Sequence, residues 1–158
     1  MNKKLSNIIL LLTLTFCISC KIYRNEVKID LHDKRLTTIP DSVFENKNLT
    51  ELDLGAKEIV FYPPLSTLEV ENKRRNKISK LPERISELIS LKKLILNSNK
   101  LSKLPNSITE LENLEILDLA LNKDLNIVNE IPKLNKLPKL RILIITDTRS
   151  ALCNEINF

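Results

Sequence analysis

One histidine, three cysteines and one glycine set the limits on what chemistry this chain of 158 residues can do. His32 follows Asp30 by two positions, so both side chains share one face if the segment is a strand. A histidine beside a carboxylate can act as an acid-base pair or as part of a weak metal-ligand set. A solvated histidine with no task is the reading these residues favour over either. A lone histidine excludes a two-histidine zinc motif, and a lone glycine, Gly55, excludes a glycine-rich phosphate loop of either common kind. These observations assign no catalytic residue, no metal and no cofactor, and they point away from an enzyme.

The elements that would position any site begin after an unusual leader. Residues 1–20, MNKKLSNIILLLTLTFCISC, are a basic pair, an apolar run from Ile8 to Ile18 and a terminal cysteine. That run is short for a spanning helix, and its flanks read as an export signal. Ile18-Ser19-Cys20 resembles the lipobox of bacterial lipoproteins, although Cys17 stands where that motif prefers leucine. The resemblance implies that residues 1–19 are a signal peptide, that Cys20 carries lipid, and that residues 20–25 tether the rest to a bacterial membrane, with the outer membrane or cell surface as the expected location. Cys153 is then alone, which excludes an intramolecular disulfide framework, and it reads as a small buried hydrophobe. Without Lys3 and Lys4 the balance of 25 basic to 20 acidic residues becomes 23 to 20. That is no nucleic-acid footprint.

From about residue 26 onward the chain repeats itself. Aligned on the Leu-Pro or Ile-Pro step, Ile29-Asp-Leu31 precedes Pro40, Leu49-Thr-Glu-Leu52-Asp-Leu54 precedes Pro63, and Leu91-Lys-Lys-Leu94-Ile-Leu96 precedes Pro105. Two further copies follow, Leu114-Glu-Ile-Leu117-Asp-Leu119 and Leu140-Arg-Ile-Leu143-Ile-Ile145. The pattern resembles the leucine-rich repeat, LxxLxLxxNxLxxLPxxIxxLxx, and residues 91–113 match it at nearly every position. In LxxLxL the fourth and sixth positions point inward from a short strand and the third and fifth outward. Asn99 and Asn122 end their strands with a side chain that both donates and accepts, suited to turn backbone that no strand reaches. Ser42 with Glu45 and Ser107 with Glu110 have capping-box spacing, which predicts one helical turn per repeat. The expected fold over 26–158 is thus an α/β leucine-rich repeat solenoid, with a short parallel sheet on the concave face and helical or extended turns on the convex face.

One stretch resists the period. Asn76-Lys-Ile-Ser-Lys-Leu-Pro82 echoes Asn99-Lys-Leu-Ser-Lys-Leu-Pro105, yet the regular register would bury Glu71 and Lys73 ahead of it. Burying unpaired charges costs several kcal/mol each, so the sequence favours Leu65-Ser-Thr-Leu68-Glu-Val70 as a sixth strand. Glu71 to Asn76 then form a long charged loop, and residues 49–64 make a short repeat crossed by an extended Tyr62-Pro63-Pro64. The repeat at 114–139 has extra residues around Lys123 to Ile131, and Ala151 to Phe158 must cap the open end of the array.

The outward positions suggest a binding surface. Asp30, Lys28, Glu51 and Asp53 make the first half of the face polar and set Asp53 beside His32. Ile95, Ile116, Ile142 and Ile144 make the second half apolar, with Lys93, Asp118 and the Arg74-Arg75 pair expected at its rim. An apolar patch rimmed by charge is what a protein or peptide contact looks like, while β-branched residues also favour strands for their own sake. Six strands at about 4.8 Å give a face roughly 24 Å across, well short of the ~800 Å² per partner of a stable interface. A large partner would need the loops as well. A purely structural envelope protein is the alternative from a different class.

Overall fold

The computed structural model describes residues 26–57 and 74–146, together with the backbone of 155–157. Residues 1–25, with the export signal and Cys20, lie outside the described residues, as do 58–73 and Cys153. Five short strands run parallel in sequence order: β1 (Val27–Asp30), β2 (Leu49–Asp53), β3 (Lys93–Ile95), β4 (Ile116–Asp118) and β5 (Ile142–Ile144). A sixth, β6 (Glu155–Asn157), lies antiparallel against β5 and closes that edge of the sheet. The described residues form a solenoid of stacked repeats with leucines at the inward positions.

Leucines at the inward positions explain the stacking. Leu49, Leu52, Leu54, Leu91, Leu94, Leu96, Leu114, Leu117 and Leu119 are all fully buried, each repeat covering the leucines of the next. Burying one such side chain is worth about 1.5–3 kcal/mol. Val27 and Ile29 of β1, and Leu31 just after it, are only partly buried, because no described repeat precedes them.

The expected sixth parallel strand does not stand between its neighbours. β2 pairs directly with β3, Glu51 opposite Lys93 and Leu52 opposite Leu94. Residues 65–70 are outside the described region, but the sheet has no place for them at that point. The repeat begun at Leu49 instead resumes at Asn76, which is no part of a charged loop. Its side-chain amide donates to the carbonyls of Leu31 and Leu54 at 2.8 and 2.9 Å, and its Oδ1 accepts from Leu36 N–H at 2.8 Å. Asn99 and Asn122 do the same one and two repeats later, donating to Leu54 and Leu96 at 2.9 and 3.0 Å and accepting from Ile78 and Leu101 at 3.0 Å. The three asparagines form one buried file. The repeat that begins at Leu49 thus runs to Ser90, with residues 57–75 as extra length between Ala56 and Asn76.

The convex side carries 3-10 turns at Asp41–Val43, Glu83–Glu87 and Asn106–Glu110, each entered through a proline. The capping boxes expected at Ser42 and Ser107 do not form. Pro40 and Pro105 occupy the cap positions, so no side chain can cap there in the usual way. Glu83 of the preceding turn supplies the acceptor instead, taking Ser107 N–H at 2.9 Å. The extra residues after Lys123 form the helix α1 (Ile127–Leu134), which buries Ile127 and Leu134. Its buried Glu130 is paired with Lys133 at 2.8 Å.

Candidate functional site

Strand register sorts the outward side chains into two rows across the sheet. One row runs Lys28, Glu51, Lys93, Ile116, Ile142 and the other Asp30, Asp53, Ile95, Asp118, Ile144. The sheet thus brings the four isoleucines together on β3, β4 and β5, as the sequence pattern predicts. Ile142 is the most exposed of them at 36 %, and the others are half-buried.

The charged half of the same face is spent on itself. Glu51 lies between two lysines, 3.0 Å from Lys28 Nζ and 3.1 Å from Lys93 Nζ. Burial acts to raise its pKa, but the hydrogen bonds from Lys28 and Lys93 outweigh burial and hold the carboxyl below its ordinary range. Lys93 is therefore part of a charge-compensated row as well as the border of the isoleucine patch. The aspartates have a turn-forming role that the sequence pattern did not reveal. Asp30 accepts His32 N–H at 3.1 Å, Asp53 accepts Gly55 N–H at 2.9 Å, and Asp118 accepts Ala120 N–H at 3.0 Å, always two residues ahead. These are Asx turns that finish each strand. Ile95 and Ile144 occupy the same position without a side-chain acceptor.

Asn97 ties the turns of successive repeats together. Its Oδ1 accepts Ala56 N–H at 2.7 Å and its amide donates to Asp118 Oδ2 at 2.9 Å. The single glycine makes room for it: a Cβ on Gly55 would stand 2.6 Å from Asn97 Oδ1 and 2.9 Å from Ile95 Cγ2. Sequence reasoning missed this pair, and its signal was the coincidence of the only glycine with the point where the insertion begins.

Asp30, His32 and Asp53 do converge, with one ligand atom from each lying within 4.8 Å of the others. The imidazole Nδ1 is in close contact with Asp30 Oδ1. Burial works to raise Asp30, yet hydrogen bonds from the backbone and ring of His32 prevail and keep it ionised to lower pH. Asp53 goes the other way, pushed up by burial and by the neighbouring Asp30 carboxylate against the Gly55 hydrogen bond. Asp30 and Asp53 each hold a turn N–H through Oδ1, and the His32 ring meets Asp30 Oδ1.

Arg74 and Arg75 precede Asn76 at the turn edge of the array. The Arg74 carbonyl accepts Arg35 N–H at 3.1 Å, which puts it beside the turn after β1.

Fold and face together define a repeat solenoid whose concave sheet is half charge-compensated and half apolar. No family model and no curated protein matches the chain. Among solved structures it is similar to a plant peptide hormone receptor in complex with RGF2, at 25 % identity and a TM-score of 0.47, covering 79 % of this chain and 21 % of the receptor. It is also similar to a leucine-rich repeat protein of Leptospira interrogans, at 29 % identity and a TM-score of 0.44, covering 80 % of this chain and 34 % of that one. The chain thus spans about a fifth and a third of the length of these two proteins.

Proposed function

We propose that the chain is a non-enzymatic recognition module that binds a protein or peptide through the apolar half of its concave sheet, held at a bacterial envelope by lipid on Cys20. The observation that carries the binding reading is the contrast within one sheet. Lys28, Glu51 and Lys93 neutralise one another, whereas Ile95, Ile116, Ile142 and Ile144 face outward with no described residue packed over them as core. Five parallel strands at about 4.8 Å make a face narrower still than six would. A peptide or one edge of a protein suits it better than a broad flat partner.

The test is capture of the partner from envelope or host extract on the chain and on Ile116→Asp with Ile144→Asp. Because both side chains point away from the leucine core, the double variant keeps its melting temperature. An unpaired charge buried in a contact costs several kcal/mol, so capture is lost. Undiminished capture by a folded double variant would place recognition elsewhere. The anchor is tested by metabolic labelling with a fatty-acid probe: label that survives Cys20→Ala rules out lipid at that cysteine.

A further inference from the structure

A second surface, separate from the concave sheet, follows from the asparagine file. The residue after each asparagine, and its equivalent in the first repeat, leaves the core edge pointing to solvent. In four successive repeats that residue is Arg35, Lys77, Lys100 and Lys123, and all four are exposed. Backbone bonds between adjacent repeats stack the first three. Lys77 N–H donates to the Leu36 carbonyl at 2.7 Å, and Lys100 N–H to the Ile78 carbonyl at 3.0 Å. Repeats in the sheet are about 4.8 Å apart, so the four cations form a file along the long axis of the solenoid. Three residues further on, Lys80 and Lys103 add a second file, and the exposed hydroxyls of Thr37, Ser79 and Ser102 lie between the two.

Among the described residues none of these six cations makes an ion pair, although Lys28, Lys47, Arg84, Lys93, Lys133 and Arg141 all do. The acids nearest in sequence are Asp33, Asp124 and Glu83. Glu83 is engaged with the Ser107 N–H, and Asp33 faces Lys57 N–H at 3.4 Å. Like charges at this spacing repel well within a Debye length. The positions are solvent-exposed, so folding would accept any polar residue there. Arg74 and Arg75 join the same edge through the bond from Arg35 to the Arg74 carbonyl.

We infer that this edge docks a linear, densely charged acidic polysaccharide, whose sulfate or carboxylate groups lie along the file from Arg35 to Lys123. Three features favour a chain over a membrane surface. The charges run in line, hydroxyl donors sit between the cations where an oxyanion takes hydrogen bonds, and the large apolar side chains exposed among the described residues, Ile89, Val128 and Ile142, belong to other faces. Binding is driven by release of counterions from the polyanion, the same physics that governs phosphate contacts. This inference does not depend on the concave-face reading.

The experiment uses the full chain in non-ionic detergent and an immobilised heparin-derived oligosaccharide, across a salt series. A triple variant, Lys77→Ser, Lys100→Ser and Lys123→Ser, is compared with Lys92→Ser, Lys136→Ser and Lys139→Ser, which removes the same charge from other faces. The first is expected to bind about tenfold or more weakly, with a salt slope smaller by about three. The second should change little, and both keep the parental melting temperature. Equal losses in the two variants would reduce the effect to net charge and overturn the site. A file-dependent preference for equimolar phosphatidylglycerol and phosphatidylcholine vesicles over neutral ones, tighter than the oligosaccharide, would overturn it in favour of a membrane contact.

Discussion

Residues 91–113 and 49–90 are the same repeat, once plain and once interrupted. In the first, Leu96 leads through Asn97 and Ser98 straight to Asn99. In the second, Leu54 leads through Gly55 and Ala56 to an insertion, and the chain reaches its asparagine only at Asn76. The sheet does not register the difference, since Leu52 pairs with Leu94 as Leu94 pairs with Leu117. The turn does register it. Asp33, Ser98 and Leu121 take positive φ at the residue before the asparagine position, with values of 53°, 57° and 58°, and Ala56 is not among the residues that do. A repeat is thus defined by its buried contacts, the leucines and the asparagine, and its period can be broken wherever the chain is at the surface and its two ends are held.

The sharpest way to break the comparison is to remove the asparagines. Asn76→Ala leaves the Leu31 carbonyl and the Leu36 and Lys34 N–H groups without that partner, while the Leu54 carbonyl keeps the Asn99 amide. Each unsatisfied buried group costs about 1–3 kcal/mol, so a loss of about 3 kcal/mol or more is expected in chemical denaturation. Asn99→Ala should lose about as much. A much smaller loss for Asn76→Ala would show that it is a loop residue after all.

Gly55→Ala comes next. The new methyl must push Asn97 away and cost the Ala56 N–H its acceptor, a loss of about 1–3 kcal/mol. Asn97→Ala in the same background should restore part of it, and the coupling can be read from a double-mutant cycle.

Deleting residues 57–75 joins Ala56 to Asn76 and recreates the plain repeat. The expectation is a folded chain with one cooperative transition, destabilised by about 1–2 kcal/mol because Ala56 must now adopt the left-handed turn. Adding Ala56→Gly should recover most of that. Loss of folding on deletion would mean that the insertion is part of the core.

The smallest effect is electrostatic. Asp53 has its pKa raised in the folded state by burial first and by Asp30 after it. Its ionised form is thus disfavoured by folding, stability is reduced above the raised value, and it is regained as pH falls through it toward the unfolded value. Asp53→Asn keeps an acceptor for Gly55 N–H, so at neutral pH it should stabilise by under about 1 kcal/mol. The gain should vanish in acid, as urea titrations at two pH values would show.

The sequence by itself determined the repeat unit, the inward leucines, the strand-ending role of Asn99 and Asn122, the meeting of Asp30 with His32 and Asp53, and the outward isoleucines. All follow from alternation along a strand and from a short period, which are local properties. It favoured residues 65–70 as a further strand, because Leu65, Leu68 and Val70 satisfy LxxLxL, but local pattern does not fix the register of residues 49–90. Only the tertiary structure chose, through the direct pairing of β2 with β3 and the three carbonyl and amide partners that wait for Asn76. The same holds for Asp118, Arg74 and Arg75. Alternation along a strand places a charged residue outward, but only the fold brings the Ala120 N–H to the Asp118 carboxylate and the Arg35 N–H to the Arg74 carbonyl.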